Sequence, residues 1–333
     1  MDVYRRLCQR RSAFVLLAVF CVLSLYASTS SYHARLSHSV SRLINKQNPE
    51  LCHSQGWSEY TPSSTKRKVY DLFMVNTELD WLEIRLATLY PVVDYFVVVE
   101  AGRTFTGLKK ELVVKDNWAR FLRFHDKIIY HEVEYPADYT PKDAWETEEY
   151  TRNAMVQQAL ESPSRTGPQK PHYKDVLVIT DVDEIPRPET IRALRHCNFP
   201  RRVTLWSRFY YYSFQFLHVG PEWYGPKATF YDGADTVLPH DLRASRGKMV
   251  EDKGDMSNAS WHCSSCFSTI STRIGNGSWI MSGGGKDMWE RPGEHYERLA
   301  ENTDVPPYVR DHPDKFGYML NRDGENAGFF DTA

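Results

Sequence analysis

From Val69 onward, short apolar runs alternate with longer stretches in which leucine recurs every three or four positions. "VYDLFMV" (69–75), "YFVVVE" (95–100), "KIIYHEV" (127–133) and "VLVIT" (176–180) predict strands, because β-branched and aromatic residues suit a pleated, buried surface. Between them, Leu79, Leu82, Leu86 and Leu89 share one helical face, predicting a helix from about Asp80 that Pro91 stops. A second helix is predicted near 146–160, a polar loop over 161–175, and an aromatic-rich strand over 208–217. Strands alternating with helices predict an α/β layer with a mainly parallel sheet.

Residues 31–68 lack sustained periodicity and are rich in Ser, His, Lys, Gln and Pro, which reads as a stem. Ahead of it, Arg5, Arg6, Arg10 and Arg11 precede an uncharged stretch that runs to Arg35. This predicts a cytoplasmic tail (1–12), a signal-anchor transmembrane segment (13–30), the stem (31–68) and a luminal domain (69–333). The alternative is a signal peptide cleaved near 27–29, giving a secreted chain. Net charge is −2 with scattered Lys and Arg, so nothing suggests a nucleic-acid partner.

A luminal domain would be oxidised. Cys52, Cys197, Cys263 and Cys266 can then pair in three ways. A zinc half-site at Cys263 and Cys266 lacks a second pair of ligands. Asn258 and Asn276 each begin an Asn-x-Ser sequon, consistent with the secretory pathway.

The candidate chemistry lies at the end of the 176–180 strand, in Asp181, Asp183 and Glu184. Open α/β sheets bind ligands beyond the carboxyl ends of their strands. In an extended segment Asp181 and Asp183 would point the same way and repel, and a hard divalent cation, Mn²⁺ or Mg²⁺, would relieve this. The competing reading makes these acids a cap for the helix begun by Pro188. "MSGGGKD" (281–287) fails as a P-loop, and no GxSxG or HExxH motif is present.

Five segments in this order resemble glycosyltransferase family 17: "NTELDWLEIRLATLYPVVDYFVVVEAGRTFTG" (76–107), "YTRNAMVQQAL" (150–160), "VLVITDVDEIPRP" (176–188), "SWHCS" (260–264) and "YVRDHPDKFGYMLNRDGENAGF" (308–329). The resemblance implies a GT-A fold and a type II Golgi membrane enzyme. It also implies inverting transfer of GlcNAc from UDP-GlcNAc to the core β-mannose of N-glycans, in β-1,4 linkage. Asp181 and Asp183 match the family's Asp-x-Asp element, expected to hold the ion against the donor diphosphate, with His262 as a further possible contact or a packed core residue. Alternatives are another donor or acceptor on the same fold, or a silent glycan-binding protein.

Glu78, Glu100, Arg103 and Arg152 are further donor-binding candidates, because they stand in loops at the carboxyl edge or on the helix before the acidic strand. Arg152 is equally placed to pair with Glu148 or Glu149 along its helix. Glu83 and Arg85 read either as cleft residues or as the solvated face of their helix. Glu184, Glu251, Asp252, Asp287 and Glu290 all qualify by type as the general base.

Overall fold

A computed structural model describes residues 49–61, 66–247, 250–267 and 296–323. The predicted tail, anchor and most of the stem lie outside these residues, as do Asn276, Asp287 and Glu290. No helix among the described residues is long and apolar enough to cross a membrane.

The strands are β1 (Ser58–Glu59), β2 (Val69–Val75), β3 (Tyr95–Glu100), β4 (Ile128–Glu132), β5 (Val176–Ile179), β6 (Glu184–Pro186), β7 (Cys197–Asn198), β8 (Arg202–Tyr211), β9 (Phe216–His218), β10 (Lys227–Phe230), β11 (Lys253–Ser264) and β12 (Tyr296–Arg298). Ten form one mixed sheet in the order β12-β9-β8-β10-β5-β2-β3-β4, with β11 beside β8 and carrying β6. Strands β5, β2, β3 and β4 are mutually parallel. Beyond β5 the sheet turns antiparallel through β10, β8 and β9. The mainly parallel expectation therefore describes one half of the sheet. The other half is mixed: β10, β8 and β9 run antiparallel to their path neighbours, while β11 lies parallel to β8.

Alternation along β2 explains the layers. Val69, Phe73 and Val75 enter one core with Leu82, Leu86 and Leu89 of the Leu79–Leu89 helix. Tyr70 and Leu72 enter a second core on the opposite face with Met155, Val156, Ala159 and Leu160. Covering both faces is what lets a strand be apolar throughout. The predicted 146–160 helix is a helix at Ala144–Ala154, N-capped by Asp143, followed by a π-helical stretch at Met155–Leu160. The predicted 208–217 strand is a corner, since β8 ends at Tyr211, Tyr212 adopts a left-handed φ of 63°, and β9 starts at Phe216.

Cys52, Cys197, Cys263 and Cys266 form two disulfides, Cys52–Cys197 and Cys263–Cys266. The first ties the Pro49–His53 turn to the end of the Pro188–His196 helix across 145 residues. Breaking it with Cys52→Ser is expected to cost about 2–5 kcal/mol, because the unfolded chain regains a long loop. Thermal melts of the variant, and of the wild type with and without reductant, check this.

Candidate active site

After β5 the chain does not continue extended, as the sequence reading assumed. Residues 181–184 make a tight turn in which the Glu184 N–H donates to the Asp181 carbonyl at 3.0 Å and the Asp181 N–H donates to Glu184 Oε2 at 2.8 Å. The two aspartates therefore face different partners. Asp181 Oδ1 accepts from Arg152 Nη1 and Oδ2 from Arg243 Nη2, both at 2.8 Å. Asp183 Oδ2 stands 3.7 Å from His262 Nε2. Burial pushes the Asp181 carboxyl upward, but Arg152 and Arg243 outweigh it and hold the group well below its ordinary range. Burial would likewise discharge His262, yet Asp183 reverses the sign and its imidazole is raised. Repulsion between the aspartates is relieved by cationic side chains before any ion arrives.

The turn rests on Arg85, whose side chain is wholly buried. Its guanidinium grips Asp71 of β2 at 2.8 and 2.6 Å and donates to the carbonyls of Asp181 at 2.8 Å and Glu184 at 2.9 Å. A fifth bond reaches Thr180 Oγ1. Arg85 is thus the seat of the acidic turn, and the solvated-face reading is wrong for it. It is also wrong for Glu83, which is buried and accepts from Arg120 Nε, Tyr308 OH and Lys315 Nζ. Neither Asp181 nor Asp183 caps the Pro188–His196 helix, whose N-cap is Arg187 with no side-chain cap.

A cleft of about 270 Å³ opens at the carboxyl ends of β2, β3 and β5. Glu78, Arg103, Arg152, Asp181 and Asp183 line it, together with Lys110, Trp145 and Phe267. Glu78 follows β2, and its Oε2 accepts from the N–H groups of Asn76 and Thr77 at 2.9 and 2.8 Å. Burial raises the Glu78 carboxyl against these bonds. Arg103 stacks over Tyr135 at 4.5 Å. Arg152 makes the foreseen pairing with Glu148 at 2.7 Å, while its other terminal nitrogen reaches Asp181.

Other candidates are placed elsewhere. Glu100 does not line the cleft. Its buried carboxylate accepts from the N–H of Val114 at 3.0 Å and from Tyr130 OH at 3.0 Å, pinning the turn behind the cleft wall. Glu184 is buried with both oxygens engaged, by Arg243 and by Trp223 Nε1 at 2.6 Å, which excludes an acceptor hydroxyl. Trp223 comes this close because residue 225 is glycine; a Cβ there would lie 2.5 Å from Glu184 Oε1. Glu251 and Asp252 stand at the start of β11, whose Lys253 pairs with Arg202 while His262 pairs with Phe209. Strand rise puts them on the order of 25 Å from His262, out of reach of the cleft.

Among the described residues no three His, Cys, Asp or Glu side chains converge on one point. Asp183 and His262 nevertheless fit a shared divalent ion. Two groups each about 2.1 Å from one ion sit about 3 Å apart, so the 3.7 Å pair needs only a small closure. His262 Nδ1 is buried with no hydrogen-bond partner.

The model of glycosyltransferase family 17 matches residues 14–275. The chain belongs to that family. A β-1,4-mannosyl-glycoprotein 4-β-N-acetylglucosaminyltransferase of Homo sapiens is 29% identical over 136 residues, 40% of this chain and 25% of the relative. The Rattus norvegicus protein of the same name is 29% identical over 136 residues, 24% of its length. The matched stretch thus spans about a quarter of these curated relatives. Among solved structures, a mannosyltransferase from Pyrobaculum calidifontis in complex with GDP-Man and Mn²⁺ aligns with a TM-score of 0.34 and 10% identity, over 70% of this chain and 66% of that one. For this family-17 chain, sequence reading missed Arg243 and the seat at Arg85. Arg243 has no local signal, lying in a five-residue helix (Pro239–Arg243) some 60 positions downstream. Arg85 has one: Asp71, an acid inside the apolar run of β2, requires a buried partner.

Proposed function

We propose that this family-17 chain is a metal-dependent inverting transferase that moves GlcNAc from UDP-GlcNAc to the core β-mannose of N-glycans in β-1,4 linkage. The observation that carries the proposal is the cleft itself, where Lys110 and Arg152 bring positive charge beside Asp181 and Asp183 at the carboxyl edge of the parallel strands. An anionic donor diphosphate suits that charge. Arg103 and Trp145 line the same cleft and offer flat faces for the donor nucleoside.

Asp183 and His262 would hold Mn²⁺ or Mg²⁺, with donor oxygens completing the shell. When bound, the ion would neutralise charge developing on the diphosphate. The chain's own residues do the rest. Arg152 and Arg243 keep Asp181 ionised, and Arg85 holds the turn in register. The acceptor oxygen bonds to the anomeric carbon as its bond to UDP breaks, UDP leaves with the electron pair, and the acceptor proton passes to a carboxylate. Glu78, whose burial makes its carboxylate more basic and which lines the cleft, joins Asp287 and Glu290 as a candidate for that role.

A luminal Golgi placement through residues 13–30 belongs to the same proposal, supported by the two disulfides. Asn258 is exposed and free to carry a glycan at its amide nitrogen, its oxygen accepting from Arg187. The test is UDP release from UDP-GlcNAc with a biantennary N-glycan acceptor, in Mn²⁺ and in EDTA. Acceptor-dependent release that EDTA abolishes is expected. Equal release in EDTA would overturn metal dependence, and release only with another sugar nucleotide or acceptor would favour the second reading, a family member of different specificity.

A further inference from the structure

Next to the Asp183 and His262 pair, the half of the sheet beyond β5 carries a row of rings. The His262 imidazole lies flat on Phe209, with centroids 4.6 Å apart and planes 6° from parallel. Phe209 contacts Trp223 at 5.6 Å, Trp223 contacts Tyr224 at 5.4 Å, and Tyr224 contacts Trp206 at 6.2 Å. The row leads away from the cleft to the surface, where Tyr224 is 56% exposed and Trp206 half-buried.

Two features distinguish this row from ordinary core packing. It opens from buried His262 through half-buried Phe209 and Trp223 to exposed Tyr224, with half-buried Trp206 beside it, whereas a core row closes over. Its indoles are also fixed by their edges, Trp223 Nε1 to Glu184 at 2.6 Å and Trp206 Nε1 to Asp255 at 2.8 Å. Edge-fixed rings keep their faces in place and lose little freedom on contact with a ligand. Flat, rigid, partly exposed faces beside carboxylates and a lysine match the surface of a pyranose, whose C–H face is apolar and whose rim is hydroxylated. Lys227 Nζ lies 5.6 Å from the Tyr224 ring and donates to Thr204, adding a polar flank.

We propose that the Phe209, Trp223, Tyr224 and Trp206 row is an oligosaccharide-binding platform that seats the acceptor's sugar units beyond the one that reacts at Asp183 and His262. This rests on the transferase reading for the acceptor's role, but binding of a free oligosaccharide tests the platform separately. Each ring-to-ring step is comparable to one sugar unit, so the row holds an extended branch rather than a single sugar.

The experiment uses the intact chain, a biantennary N-glycan oligosaccharide and saturation-transfer NMR, followed by turnover where it exists. Wild type is expected to bind the free oligosaccharide without donor. Trp206→Ala and Tyr224→Ala are each expected to weaken that binding and raise acceptor KM about tenfold, the equivalent of one lost aromatic contact, with donor KM little moved. Trp206→Phe and Tyr224→Phe keep a ring face and are expected to restore most of the binding. Wild-type affinity in both Ala variants, no binding by the wild type, or equal loss in Ala and Phe variants would each overturn the platform. Failure of the transferase reading looks different: oligosaccharide binding with the same ranking of variants, and no sugar transferred.

Discussion

Asp183→Ala is expected to lower kcat/KM by about a thousandfold or more while leaving the melting temperature close to wild type. Asp183 is partly exposed and, among the described residues, makes one ion pair, with His262, so its removal strands little. Asp181→Ala should be as inactive but also less stable, because buried Arg152 and Arg243 would lose the carboxylate that bridges them and keep one acidic partner each, Glu148 and Glu184. Steady-state kinetics with thermal melts of the two variants separate these outcomes. Full activity in Asp183→Ala would sink the proposed ion site, and equal stability of the two would show that the arginine bracket contributes nothing to the fold.

Arg85→Met carries the second large effect. It leaves Asp71 buried and unpaired and frees the carbonyls of Asp181 and Glu184, for an expected loss of about 3–5 kcal/mol and of activity with it. Asp71→Leu with Arg85→Met removes the stranded charge and is expected to recover much of the stability. Activity should stay low, because the turn is still unheld. Melts and turnover of both variants check this, and a fully active double variant would show that the turn keeps its shape without its seat.

These residues also mark where sequence reading stops. Strands β2, β3 and β5 and the Leu79–Leu89 helix are visible because their apolar spacing is what burial demands. Asp181, Asp183, Glu78, Arg103 and Arg152 converge on one cleft because loops at one edge of a parallel sheet must share a crevice. Glu100 ends its strand as Asp181 follows its own, yet the next turn folds back and offers it the Val114 N–H. That difference lies in the loop after β3, where no periodicity reports the path. A charged residue on a helix reads as solvated by default, so Arg85 becomes legible only through Asp71, on a different element.

Glu83 links the start of the fold to its far end. Tyr308 and Lys315 reach its carboxylate across 225 and 232 residues, and Tyr318 reaches Asp80 across 238. During synthesis the parallel strands leave the ribosome long before these partners exist. Until residue 315 has been made, Glu83 has, among the described residues, Arg120 and Arg123 as its cationic partners. The active-site half therefore matures late, when a distant segment docks, and contacts of such long range make that docking slow.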